Sequence, residues 1–291
     1  MNRGSRFRNF AIGLPMMWIA VFVVTPYLFV VIFSFLEPNP EGMARLSFSL
    51  ESYRELLSPV FLTVCRNSFI LALGTTVISL LVAYPFAYLL TRMPDGVRRV
   101  LLLLMIIPFW TSSLIRTYAL IILFKANGIV NSALRAAGLI DEPLAILYTE
   151  TAVFIGLVYT LLPFMILPLY ASLQKLDRRL VEAAKDLGAT SRHVFFHIVL
   201  PLTLPGIIAG STMVFLPALG LFYIPDLLGG ARSMLIGNFI KNQFLTTGNW
   251  PLGSAASVVL TLLMFLMLGW YFLSTRSTQS GRVETVREAV R

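Results

Sequence analysis

The sequence predicts an all-α membrane protein with six transmembrane helices and one helix–turn–helix loop on the cytoplasmic side. Three observations predict this. Hydrophobic residues occupy 57% of the 291 positions and charged residues only 13%, which leaves too little polar surface to cover a soluble globule of that size. Six apolar runs reach the roughly 18 residues that a helix needs to cross a bilayer core, and continuous runs, unlike alternating ones, mean helices. Positive charge gathers on alternate connecting segments.

The first run extends from about Phe10 to Leu36, behind Arg3, Arg6 and Arg8, and is too long for a signal-peptide core. The second extends from Ser68 to Leu90, the third from Val100 to Leu123 and the fourth from Thr151 to Leu173. The fifth lies between Leu202 and Ile224 and the sixth between Leu252 and Thr275. Prolines and glycines recur inside several of them, and membrane helices tolerate such breakers where neighbouring helices or water satisfy the freed backbone groups. That suits a bundle around a pathway better than an inert anchor. With no internal repeat and no low-complexity tract, residues 1–291 read as a single transmembrane domain. The lone Cys65 cannot form an intrachain disulfide or a metal cluster and reads as a packing residue.

Orientation follows from the cations, because cytoplasmic loops retain Lys and Arg while short translocated loops avoid them. With the amino terminus inside, the four inner segments carry fifteen cations against six acids, a net of +9, and the other eight cations face eight acids. Both termini and the loops around Arg92–Arg99 and Lys175–Arg192 are therefore expected in the cytoplasm. The same scatter over membrane-flanking loops argues against nucleic acid as the partner, since the cations form no single basic face interleaved with stacking aromatics.

The loop from Lys175 to Pro201 is amphipathic where a plain connector would be only polar. Leu180, Ala183, Ala184 and Leu187 fall at i, i+3, i+4 and i+7, one stripe of a short helix that Asp177 can cap and Gly188 can stop. Ser191 or Thr190 can cap a second helix, whose apolar face is Val194, Phe195, Ile198 and Val199. Either a partner protein covers this exposed apolar stripe or it packs on its own bundle.

Within it, EAAKDLGATSRHVFFHIVLP (Glu182 to Pro201) has the pattern E-A-A, three residues, G, nine residues, I, one residue, L-P. This resembles the loop of ABC import permeases of the binding-protein-dependent, MetI-like family, with Glu182, Ala183, Ala184, Gly188, Ile198, Leu200 and Pro201 at the fixed positions. The resemblance implies a bacterial inner-membrane transport subunit whose loop docks on a separate ABC ATPase. It further implies a second homologous permease, two copies of the ATPase and a periplasmic solute-binding protein. This chain has no G-x-x-x-x-G-K-[ST] phosphate loop, as expected if it binds no cofactor and ATP is used by the partner ATPase. Longer stretches, PFWTSSLIRTYA (108–119), GLVYTLLPFMILPLY (156–170), PLTLPGIIAG (201–210) and LFYIPDLLGGARSMLIGN (221–238), resemble the polyamine permeases of that family. They imply spermidine or putrescine as cargo. Related permeases for other small cations or opine-like solutes share much of the pattern.

A membrane enzyme and a non-transporting receptor are the other classes to weigh. His193 and His197 stand four apart without the acid or cysteine of a pattern such as H-E-x-x-H, so no metal is expected there. Glu37/Glu41 and Asp141/Glu142 lie in outer loops, where water solvates them. For a cationic solute, the best-placed carboxylate is Asp226, just after the fifth run and beside Phe222 and Tyr223. Ammonium groups gain Coulomb and cation–π attraction from such a set. Trp110 and Tyr118 of the third run offer further aromatic surface, and Arg116 lies roughly 24 Å into that run at 1.5 Å per residue. Arg116 reads either as a pathway residue or as a snorkelling cation, and Asp226 either as a cation contact or as a loop-stabilising acid paired with Arg116 or Arg232.

Overall fold

The computed structural model describes residues 3–39, 42–230 and 234–289, with side chains throughout except those of 3–9, 178 and 270–289. Arg232, and the side chains of the cations near both termini, lie outside the described residues. In chain order the elements are α1 (Arg3–Ile19), a π turn (Ala20–Val24), α2 (Thr25–Phe33), β1 (Leu36–Glu37), β2 (Arg45–Phe48), α3 (Glu51–Glu55) and α4 (Pro59–Leu90). Next come α5 (Asp95–Ile106), a 3₁₀ turn (Ile107–Trp110), α6 (Ser113–Phe124), α7 (Ile129–Ala136), α8 (Glu150–Gln174) and α9 (Arg178–Asp186). The chain finishes with α10 (Ser191–Val194), a π turn (Phe195–Val199), α11 (Leu200–Gly220), a π turn (Pro225–Gly229), α12 (Ile236–Leu245) and α13 (Trp250–Ala289).

Among the described residues six helical stretches are long and apolar enough to cross a membrane: Phe10–Phe33, Pro59–Leu90, Ser113–Ala136, Glu150–Gln174, Ser191–Gly220 and Trp250–Gly269. The third differs from the run expected at 100–123. Pro108 interrupts that run: α5 gives way to the 3₁₀ turn, Thr111 is extended at φ −93° and ψ 148°, and the helix restarts at Ser113. Proline has no N–H to donate and its ring crowds the carbonyl four residues back. The fifth run is likewise cut short, because Leu221 turns extended after α11. Two further prolines act more gently. Pro26 and Pro201 each follow a π turn by one residue, Thr25 N–H reaching back to Ala20 and Leu200 N–H to Phe195. Widening the helix there gives the proline ring room without ending the rod.

The chain divides into two compact units, residues 1–64 with 239–264, and residues 65–238 with 265–291. In the first, β1 and β2 pair antiparallel with Leu36 opposite Phe48 and Glu37 opposite Arg45. Phe35 stacks on Phe48 and lies 5.2 Å from the Tyr53 ring, and Tyr53 shares a 2.9 Å hydroxyl hydrogen bond with buried Ser34. Aromatic contacts of Trp250 with Phe33 and Phe244 complete this unit.

The second unit is built on α8 lying along α11. Leu157, Met165 and Leu169 of α8 and Val214 and Leu219 of α11 are fully buried. The approach is close because α11 presents Gly206 to α8: a Cβ there would stand 2.4 Å from Ser172 Cβ and 2.8 Å from the Pro168 carbonyl oxygen. Small residues are how helices approach closely in lipid, where packing replaces the hydrophobic drive. The π turn Pro225–Gly229 packs against both α6 and α8.

Candidate functional site

The loop after α8 folds as two short helices around a glycine. Asp177 caps α9, its Oδ1 accepting from Arg179 N–H at 3.0 Å. The other end closes as a Schellman motif, with Gly188 N–H donating to the Lys185 carbonyl at 2.9 Å and Ala189 N–H to the Ala184 carbonyl at 3.0 Å. That closure needs a left-handed residue, and Gly188 sits at φ +85°. Of the two hydroxyls that could cap α10, Thr190 does so, accepting from His193 N–H at 3.3 Å. Val194 and Val199 are buried and Phe195 and Ile198 half-buried. The two valines share the inner face at a spacing of five because the π turn lies between them. Phe195 meets Tyr84 edge-on at 5.6 Å, and the Tyr84 hydroxyl bonds Thr203 at 3.0 Å, so the second half of the loop is anchored to α4 and α11.

The first half is not covered. Glu182 and Ala183 are exposed, Ala184 is half-buried, and Leu187 is 89% exposed. The stripe expected at 180, 183, 184 and 187 thus faces outward from the bundle. Leu200 and Pro201 are half-buried at the start of α11. His193 and His197 stack at 3.9 Å, and His197 Nδ1 lies 3.1 Å from the His193 carbonyl oxygen. Among the described residues no cluster of three or more His, Cys, Asp or Glu could hold a metal.

At the other end of the spans, Asp226 sits half-buried in the Pro225–Gly229 turn, and its carboxylate accepts from the Asn238 side-chain amide. The same amide donates to the Phe222 carbonyl at 3.1 Å, as does Asp226 N–H at 3.0 Å. Phe222 and Tyr223 contact edge-on. The turn packs on α6, which carries Arg116 and Tyr118. Arg116 itself forms no salt bridge among the described residues. Its guanidinium lies over the rings of Phe109 and Tyr159, 5.4 and 5.9 Å from their centroids, and its Nε is buried without a hydrogen-bond partner. Trp110, 83% exposed, and Tyr118 point away from any packed core.

The family described as "Binding-protein-dependent transport system inner membrane component" matches residues 83–279, from the last third of α4 into α13. The chain belongs to that family. It is a transport component of the inner membrane. Over 276 residues it is 46% identical to the spermidine/putrescine transport system permease protein PotB of Salmonella typhimurium strain SL1344, covering 95% of this chain and 96% of that one. It is 48% identical to PotB of Escherichia coli K12 over 89% of this chain and 94% of that one. A crystal structure of a bacterial alginate ABC transporter, in complex with alginate pentasaccharide-bound periplasmic protein, superposes with a TM-score of 0.76 over 94% of this chain and 96% of that one, at 18% identity. That likeness shows the binding-protein-dependent permease fold.

Two asparagines escape a reading of the sequence. Asn238 holds the Asp226 turn, and fully buried Asn131 ties the 125–144 segment together, donating to the Lys125 and Leu144 carbonyls and accepting from Leu144 N–H at 2.8 Å. The one signal that could have found them is an asparagine inside an otherwise apolar helical pattern, where burial demands partners. A cavity of about 260 Å³ beside Arg66, Asn67, Glu150 and Phe154 carries no such signal, since its walls come from residues far apart in sequence.

Proposed function

We propose that this chain is the transmembrane permease subunit of an ATP-binding-cassette importer for polyamines, forming the path for spermidine and putrescine together with a second, homologous permease. The observation that carries this reading is the 46% identity to PotB over 95% of the chain. Two copies of a separate ATPase bind and hydrolyse ATP, a periplasmic solute-binding protein delivers the cargo, and this chain holds no cofactor. The exposed stripe of α9, with Glu182, Ala183 and Leu187 outward, is the docking face for one ATPase copy, and Gly188 is its turn. Both termini and this loop lie in the cytoplasm, as the segregation of cations argues.

At the outer ends of the spans, Asp226, with Phe222 and Tyr223 beside it, contacts the ammonium groups of the cargo as it enters, and Trp110, Tyr118 and Arg116 border the same route. Asn238 fixes the carboxylate in place. The test is uptake of labelled spermidine and putrescine into proteoliposomes holding both permeases, the ATPase and the binding protein. ATP-dependent accumulation that other cations and opine-like solutes do not match supports the reading. Accumulation of an opine-like solute alone moves the cargo to that class, and turnover of a solute by this chain alone makes it an enzyme. Asp226→Asn should slow uptake while sparing binding-protein loading, and unchanged uptake removes Asp226 from the route. Reporter fusions after Leu36 should read external and those within 175–192 internal.

A further inference from the structure

The carboxyl end of α4, the start of α5, the end of α8 and one side of α9 enclose a cavity of about 470 Å³. Its wall carries three cations, each from a different element: Arg92 after α4, Arg98 in the first turns of α5 and Lys185 on α9. One carboxylate, Glu182, shares the wall. Arg92 is held by its own helix, its guanidinium 4.4 Å above the Tyr88 ring and donating to the Tyr88 hydroxyl. Arg98 pairs with Asp95. Lys185 forms no salt bridge among the described residues. The same wall includes buried Leu173 and half-buried Leu176 and Val181, beside Thr91 and Gln174. The cavity is therefore amphipathic, and it sits where α4 and α8 end and the exposed apolar surface of α5, with Val97 and Val100, begins. That is the level at which hydrocarbon gives way to headgroups.

We propose that this cavity is a binding site for a phosphate-bearing anion, with Arg92 and Lys185 as its principal contacts. Guanidinium and ammonium groups make charge-assisted hydrogen bonds to phosphate oxygens. Basic pockets between membrane helices are where anionic headgroups settle, and the apolar wall accommodates the start of an acyl chain. The site uses Val181, Glu182 and Lys185 of α9, whereas Leu180, Ala183 and Leu187 belong to the other side of that helix. An occupant here shares only Glu182 with the exposed stripe, leaves Ala183 and Leu187 accessible, and ties α9 to the α4–α5 turn.

The test titrates the assembled transporter in neutral detergent with phosphatidylglycerol, with phosphatidylcholine of the same acyl length, and with inorganic phosphate, and follows bound lipid by native mass spectrometry. Preferential binding of phosphatidylglycerol is expected, weakened about fivefold for each cation removed, and so on the order of 25-fold in Arg92→Gln/Lys185→Gln. The charge-preserving pair Arg92→Lys/Lys185→Arg should bind within about twofold of the parent, which separates loss of charge from loss of fold. Displacement of the lipid by millimolar phosphate, with the same dependence on Arg92 and Lys185, supports the site and assigns it to a soluble phosphate. Equal binding of the two lipids, or undiminished phosphatidylglycerol binding by the double glutamine variant, overturns it.

Discussion

The first span and the α8–α11 pair are almost equally apolar, yet they solve different problems. In Phe10–Phe33 none of the most hydrophobic window is buried, whereas in Glu150–Gln174 half of it is. Mean hydropathy does not separate them, at 2.4 and 2.2. What separates them is where the small residues fall. A Cβ added at Gly13 would meet no heavy atom within 4 Å, while one added at Gly206 would meet the backbone of α8 at 2.8 Å. In lipid an apolar side chain is content on either surface, so hydrophobicity says that a helix inserts and steric fit says what it touches.

The largest expected effect tests that fit. Gly206→Val forces α8 and α11 apart and should cost about 3 kcal/mol, the upper range for overpacking, read as loss of monodisperse protein and a lower thermal midpoint. Normal stability in this variant would show that α8 and α11 do not depend on the absence of a side chain at Gly206. Gly188→Val places a β-branched residue at φ +85° and should cost about 1–3 kcal/mol, confined to the 175–201 loop. Membrane insertion should persist, and solute-stimulated ATP hydrolysis by the assembled transporter should fall.

Leu187→Gln is smaller. Because Leu187 is 89% exposed, the thermal midpoint should stay put while ATPase association weakens about fivefold, measured by co-purification against ATPase concentration. The smallest effect belongs to the first span: Gly13→Val should change stability by less than about 0.5 kcal/mol. A clear loss of transporter assembly there would show that this surface meets protein instead of lipid.

The spans, the cap at Asp177 and the stop at Gly188 are legible in the sequence because each rests on local chemistry that spacing reveals. The break at Pro108 is not. Ile107 to Trp110 is apolar throughout, so the run reads as continuous, and only the missing N–H marks the point where α5 ends. Residues of the candidate site divide the same way. The motif from Glu182 to Pro201 is contiguous and stands out at once. Asp226 stands out too, but its restraint by Asn238 does not, since a hydrogen bond twelve residues away depends on how Leu221 and the 225–229 turn reverse the chain. Arg116 admits two readings from spacing alone, and its aromatic neighbours Phe109 and Tyr159 come from the broken third run and from α8, a pairing that no periodicity encodes.

The helical stretch Ser191–Gly220 passes through its π turn without interruption for 30 residues, about 45 Å at 1.5 Å per residue. The hydrocarbon layer accounts for about 30 Å of that. On the order of 15 Å of continuous helix therefore stands outside the oily slab, in one piece with the part inside it. The 175–201 loop is thus not hung on the bundle by a flexible strand: its second half and the membrane-crossing part of α11 are one unbroken run of helix.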